Sequence, residues 1–303
     1  TPLFAAHAAA PQKVGADPNA IVIGAFPPDV LPFSGKVWRL NDPETTLTLK
    51  QVLTRRVDDF KPIRGIPSSG YTRDAIWYRV DLDVTHAQRS PLFLNIEPAY
   101  LNFVDIYIVA KGNTHPIWQA HLGDNIPASL RPLNLPSQAT PLPALSRGTY
   151  NILIRTQSNS TQFLKASIKS EQALLNGAAH KMALLGLLLG VMTILGLTYL
   201  LIGTNIRDAS VTSYGFFVLI FAFGFSNIQG ATLVWLRPEW SLTNDLLTGV
   251  GTFLNLGIVV YLWGLVLELP RTNPRIWMGL KIICALTFLA GFSAPTLFYI
   301  ELC

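Results

Sequence analysis

Residues 76–84, Ile-Trp-Tyr-Arg-Val-Asp-Leu-Asp-Val, alternate with period two. Ile76, Tyr78, Val80, Leu82 and Val84 fall on one side of an extended chain, and Trp77, Arg79, Asp81 and Asp83 on the other. One apolar face and one polar face is what an antiparallel strand needs when it covers a core. The neighbouring sequence repeats the theme. Runs at 36–40, 46–53, 91–97, 103–109, 116–122, 149–156 and 162–169 are short, rich in strand formers, and separated by Pro, Gly, Asn and Ser. Eight such runs without a helical period predict an all-β sandwich of jelly-roll type over residues 21–172. Residues 123–148 form a proline-rich connection, and loops of that length are generally functional.

Beyond residue 181 the chemistry changes. Residues 1–180 carry 30 of the 41 charged side chains and all five histidines. Uncharged apolar stretches cover 182–203, 211–236 and 246–267, and a fourth at 276–300 holds the single charge Lys281. Each is long enough to cross a hydrocarbon layer of about 30 Å as a helix. The expected architecture is therefore an extracytoplasmic β-sandwich, a linker at 173–181, and an α-helical membrane bundle. The net charge of +5 contains no basic run, so no nucleic-acid partner is expected.

Orientation follows from two signals. Thr1–Ala10 reads as the tail of a secretory signal, so residues 1–20 are taken as a signal remnant or unstructured start. With the sandwich outside, Arg207, Arg271 and Arg275 fall in cytoplasmic loops and only Arg237 in an outer one. Lys165, Lys169 and Lys181 run against that rule. An even number of spans returns the chain to the outside, so further helices and a cytoplasmic module are expected to follow Cys303. The two cysteines, Cys284 and Cys303, have neither zinc nor redox spacing.

Neither half of the sequence carries an evident catalytic constellation. Ser226 lies in a span, but no span holds a histidine to act as its base. In the sandwich, Glu97 and Asp105 do not form an evident glycosidase pair. Binding groups are better represented. Trp77, Arg79, Asp105, Tyr107, Trp118 and Arg155 are candidates for holding a sugar or small polar ligand. The commoner fate of such aromatics is the core or rim of a sandwich. Asp81 and Asp83 are candidate Ca2+ ligands, with solvation on an outer strand face the commoner fate.

Two stretches carry a family likeness. Ile76–Val84, then PLFLNIEPAYLNFVDIYIV (91–109), then TYNILIRTQS (149–158), resemble the extracellular sensor domain of the seven-transmembrane receptors with diverse intracellular signalling modules. Val104-Asp105-Ile106-Tyr107 is similar to that family's signature strand. Gly186–Gly230, glycine-rich with a short Arg-Asp loop, resembles the first two helices of its membrane domain. The resemblance covers residues 36–300 in the family's domain order. It implies a bacterial inner-membrane sensory receptor with a carbohydrate-binding-like periplasmic domain, seven helices of which four are present, and a homodimeric state. It also implies a cytoplasmic output, such as the histidine kinase of a two-component system or a diguanylate cyclase, and any enzymatic activity would reside there. The alternative reading is an envelope protein that binds another protein or membrane receptor through the sandwich, with no output of its own. Neither reading calls for a cofactor apart from Ca2+.

Overall fold

The computed structural model describes residues 19–56, 59–88, 90–240 and 243–299, with side chains up to residue 291. Residues 1–18 of the signal remnant lie outside the described residues. Strand β6 (Ala75–Val84) is the spine of the larger sheet. Its even-numbered residues are at most 1% exposed and face the core, as their alternation predicts. The sheet runs β4 (Lys61–Ile63), β3 (Val37–Asp42), β6, β11 (Gly148–Gln157), β8 (Phe103–Ala110) and β9 (Trp118–Leu122), and β1 (Ile21–Ile23) pairs in parallel with β6. The opposing sheet runs β10 (Gln138–Pro141), β7 (Leu92–Glu97), β13 (Lys165–Ser170) and β2 (Val30–Pro32). Strands β5 (Ser68–Tyr71) and β12 (Thr161–Phe163) form a separate pair. Phe33, Leu94, Ile96, Ile106, Ile152 and Ile168 fill the space between the two main sheets.

Two expectations are corrected. Residues 46–53 are not a strand, because α1 (Leu49–Thr54) forms there. Thr48 and Gln51 close a capping box: Gln51 N donates to Thr48 Oγ1 (3.4 Å) and Thr48 N donates to Gln51 Oε1 (2.8 Å). Residues 173–181 are not a linker, because they are the first turns of α2 (Glu171–Ile206). Ser170 ends β13 and caps α2, accepting from Ala173 N (3.2 Å) and donating to Asp29 (2.8 Å). The sandwich strand thus passes into the first membrane helix with no coil between them.

The other helices are α3 (Ala209–Ile228), α4 (Ala231–Trp235), α5 (Thr243–Val266), α6 (Leu269–Thr272) and α7 (Pro274–Tyr299). Among the described residues α2, α3, α5 and α7 are long and apolar enough to cross a membrane. They pack in sequence order, α2 on α3, α3 on α5, and α5 on α7. Their outward faces expose Leu187, Ile194, Leu201, Trp263 and Leu289, which suits lipid and not water.

Glycines bring α2 and α3 together. A Cβ on Gly215 would lie 2.8 Å from the Gly196 carbonyl oxygen, and one on Gly203 would lie 2.4 Å from Thr212 N. Close backbone approach of this kind replaces the hydrophobic drive that helices lack in lipid. Gly215→Leu is therefore expected to part the pair and lower the thermal midpoint of the purified chain in detergent. Gly190→Leu, where a Cβ meets open space, is the matched control and is expected to leave the midpoint in place.

Candidate functional site

Strand register sorts the predicted binding residues. Across the larger sheet one row runs Leu40, Trp77, Arg155, Asp105, His121, and the next runs Trp38, Arg79, Leu153, Tyr107, Gln119. Trp77, Arg79, Arg155, Asp105 and Tyr107 therefore share the outer face. Trp118 does not join them: it pairs with Ile108 and packs against the core between the sheets. Trp77 is on the right face but covered. It is 1% exposed, packed with Val52, Phe60, Val109 and Leu153 beneath α1, and its ring lies 6.1 Å from that of Tyr107 at 23°. Its indole nitrogen has no hydrogen-bond partner. Trp77 is thus a packing residue.

The part of this face that reaches solvent is a polar cluster. Asp105 accepts from Arg155 (3.4 Å) and contacts His121 Nδ1 (2.7 Å), and Arg155 also donates to Gln157 (3.0 Å). Burial holds the Tyr107 phenol above its ordinary pKa; Asp105 adds to the rise and Arg155 opposes it. His121 and Gln157 were not among the predicted residues, although the alternation of 118–122 already places His121 with Gln119. Arg79 donates to Asp81 at 3.0 Å, so that carboxylate already faces a guanidinium. Among the described residues no three His, Cys, Asp or Glu side chains gather as a metal site would require.

A second surface is concave. Between the outer face of the smaller sheet and the start of α2 lies a cavity of about 420 Å³. Register sets Lys165 opposite Glu97 and Ser167 opposite Asn95 on its floor. Lys165 is paired with Glu97 at 2.9 Å, and Asn95, 3% exposed, accepts from Ser137 Oγ at 2.6 Å. Ala173 and Gly177, one helical turn apart, form the helix wall and are too small to fill the space. Lys169 Nζ lies 4.0 Å from where a Cβ on Gly177 would be. Val30, Pro32 and Ile66 add an apolar side. The volume falls in the range of small-ligand sites, and the lining mixes charged, amide and apolar groups as such sites do. Glu97 stands out in the sequence only as a carboxylate weighed for glycoside hydrolysis, and none of these residues is legible there as a ligand contact, because the cavity is completed by a helix where the sequence suggests a linker.

Residues 34–170 match the family model of the 7TMR-DISM extracellular 2 domain. Residues 181–302 match that of the 7TM diverse intracellular signalling domain. No curated protein matches the chain.

Proposed function

The chain belongs to the seven-transmembrane receptors with diverse intracellular signalling modules, and from that premise we propose that its sandwich binds a small, carbohydrate-like ligand in the cavity beside α2. The membership makes it a membrane sensory protein with an extracellular N-terminal domain. The finer reading is a bacterial inner-membrane receptor that works as a homodimer and passes its state to a cytoplasmic output module. The observation that carries the ligand site is the cavity's position. Its floor is β13 and its wall is α2, and these are one continuous piece of chain. A ligand touching both has different contacts whenever α2 shifts on the sheet, and such a difference is what lets binding bias a conformational equilibrium. Asn95, Glu97, Ser167 and Lys169 offer donors and acceptors for hydroxyl groups, and Pro32 and Ile66 offer an apolar surface for a sugar face.

The test uses the whole chain in nanodiscs, with glucose, galactose and N-acetylglucosamine as probes and thermal midpoint as readout. At least one sugar is expected to raise the midpoint. Lys169→Met and Glu97→Gln are expected to weaken that sugar, each by about five-fold or more, the loss of one hydrogen bond to a charged group. If no sugar moves the midpoint, the ligand class is wrong. If Arg155→Ala weakens binding and the two cavity variants do not, the seat is the Asp105–His121–Arg155 cluster on the opposite sheet.

A further inference from the structure

Three lysines run against the charge rule that orients the helices, and the fold gathers all three at one place. Lys165 and Lys169 lie on β13, four residues apart and so on one face of the smaller sheet. Lys181 lies on α2 one turn beyond Gly177, so it continues the helix wall of the cavity. Lys165 and Lys169 line the cavity, and Lys181 has both of them and Glu97 as electrostatic neighbours.

The negative charge that faces them is one carboxylate. Glu97 lies 2.9 Å from Lys165 Nζ and is committed to it. Lys181 donates to the Pro136 carbonyl at 2.9 Å, which satisfies a proton and neutralises no charge. Among the described residues no carboxylate pairs with Lys169 or Lys181. Asp29 accepts from Ser170 (2.8 Å), Glu171 is exposed in the first turn of α2, and neither lines the cavity. Three ammonium groups against one carboxylate leave the site with positive charge in excess. Low-dielectric walls focus such a field, and water screens it less in a concave site than on an open surface.

We propose that this cavity takes a sugar that carries an anionic group, a carboxylate or a phosphate, with Lys169 as its counter-ion and Lys181 adding to the field. The proposal rests on the reading of the cavity as the ligand's seat and adds to it the charge of the ligand. A lysine ammonium is a compact point charge with three donors, so it serves either anion. Asn95 and Ser167 remain for the hydroxyl groups, and Pro32 and Ile66 for the ring face. An anionic lipid headgroup offers the same phosphate chemistry beside the start of α2. The cavity favours the sugar, because its floor is the sandwich sheet and its lining reaches down to Asn95, which is buried.

Midpoint titrations of the whole chain in phosphatidylcholine nanodiscs test this, with glucose, glucuronate and glucose 6-phosphate as probes. Each anionic form is expected to bind about ten-fold more tightly than glucose, the worth of one hydrogen bond to a charged group. That preference is expected to shrink between about 0.05 and 0.5 M salt. Lys169→Met and Lys181→Met are expected to lose most of it. Lys111→Met, in the turn after β8, removes the same charge elsewhere and is expected to keep it. Lys169→Met decides the matter alone should Lys181→Met fail to fold. If glucose binds as tightly as both anionic forms, the cavity reading stands and this proposal falls. A preference that survives in Lys169→Met also overturns it. If none of the three binds, the cavity reading falls and takes this one with it. Repeating the titrations with phosphatidylglycerol in the nanodiscs separates the two sources of anion. If that lipid raises the midpoint of the wild type, leaves Lys169→Met unmoved and abolishes the preference, the lysines hold lipid headgroups and the proposal is overturned.

Discussion

Trp77→Ala is expected to destabilise the sandwich by about 3–5 kcal/mol, the usual cost of truncating a buried tryptophan. The side chain is 1% exposed and sits at the centre of a second apolar cluster, on the face of the larger sheet turned away from the main core. Above it lies α1, a helix of six residues. A helix that short has no stability of its own in water, so it persists because Val52 and its neighbours rest on the indole. The variant therefore loses its own contacts and also releases α1. Trp77→Phe is expected to cost less than half as much, because the indole nitrogen makes no hydrogen bond that phenylalanine would forfeit. Denaturant unfolding of the whole chain, followed by the sandwich's circular dichroism, reads both values. A loss under about 1 kcal/mol for Trp77→Ala would mean that the cluster collapses onto the gap and that α1 does not depend on the indole.

The same residue shows what a sequence pattern can and cannot convey. Period two assigned every side chain of 76–84 to its correct face, because side-chain direction in a strand is a local property. It could not say what covers a face. Trp77 looked like a binding aromatic because the residues that bury it, Val52 and Phe60, come from a segment whose own pattern was ambiguous. Leu47, Leu49 and Leu53 alternate well enough to imitate a strand, and the capping box at Thr48 and Gln51 is the local signal that favours the helix. Trp118 failed differently: its type fitted a binding role, and only its pairing with Ile108 shows that it belongs to the inner face. The membrane spans were legible because length and apolarity alone decide them. The cavity and the junction of the sandwich with α5, where Asn102 donates to Asp245, were not, since each is assembled from remote segments. Asn102 and Asp245 are 143 positions apart, and no periodicity links them.

Asn102→Ala is expected to loosen the sandwich and the junction together, with a combined loss of about 3–5 kcal/mol. The side chain is 3% exposed and uses both ends. Its Nδ2 serves Asp124 and Asp245, while its Oδ1 accepts from Ser158 Oγ (2.8 Å) and from Asn159 N (2.9 Å). Truncation strands donors and acceptors where water has little access, and each buried group left unpaired costs about 1–3 kcal/mol. The costs overlap because the four bonds form one network. Two readouts separate the halves of the effect. Faster hydrogen exchange at 158–160 reports the freed turn between β11 and β12, and faster exchange at 124–131 reports the freed junction. Asn102→Asp keeps the shape but adds a third carboxylate, so its loss is expected to exceed that of alanine at pH 8 and to shrink as the pH falls and the cluster takes up protons. If 158–160 loosens while 124–131 stays protected, Asn102 serves the sandwich alone. The junction would then rest on other contacts, among them those from Asn244 Nδ2 to Asp124 (2.6 Å), from Ala128 N to the Pro238 carbonyl (3.0 Å) and from Ser129 to Glu239 (2.7 Å).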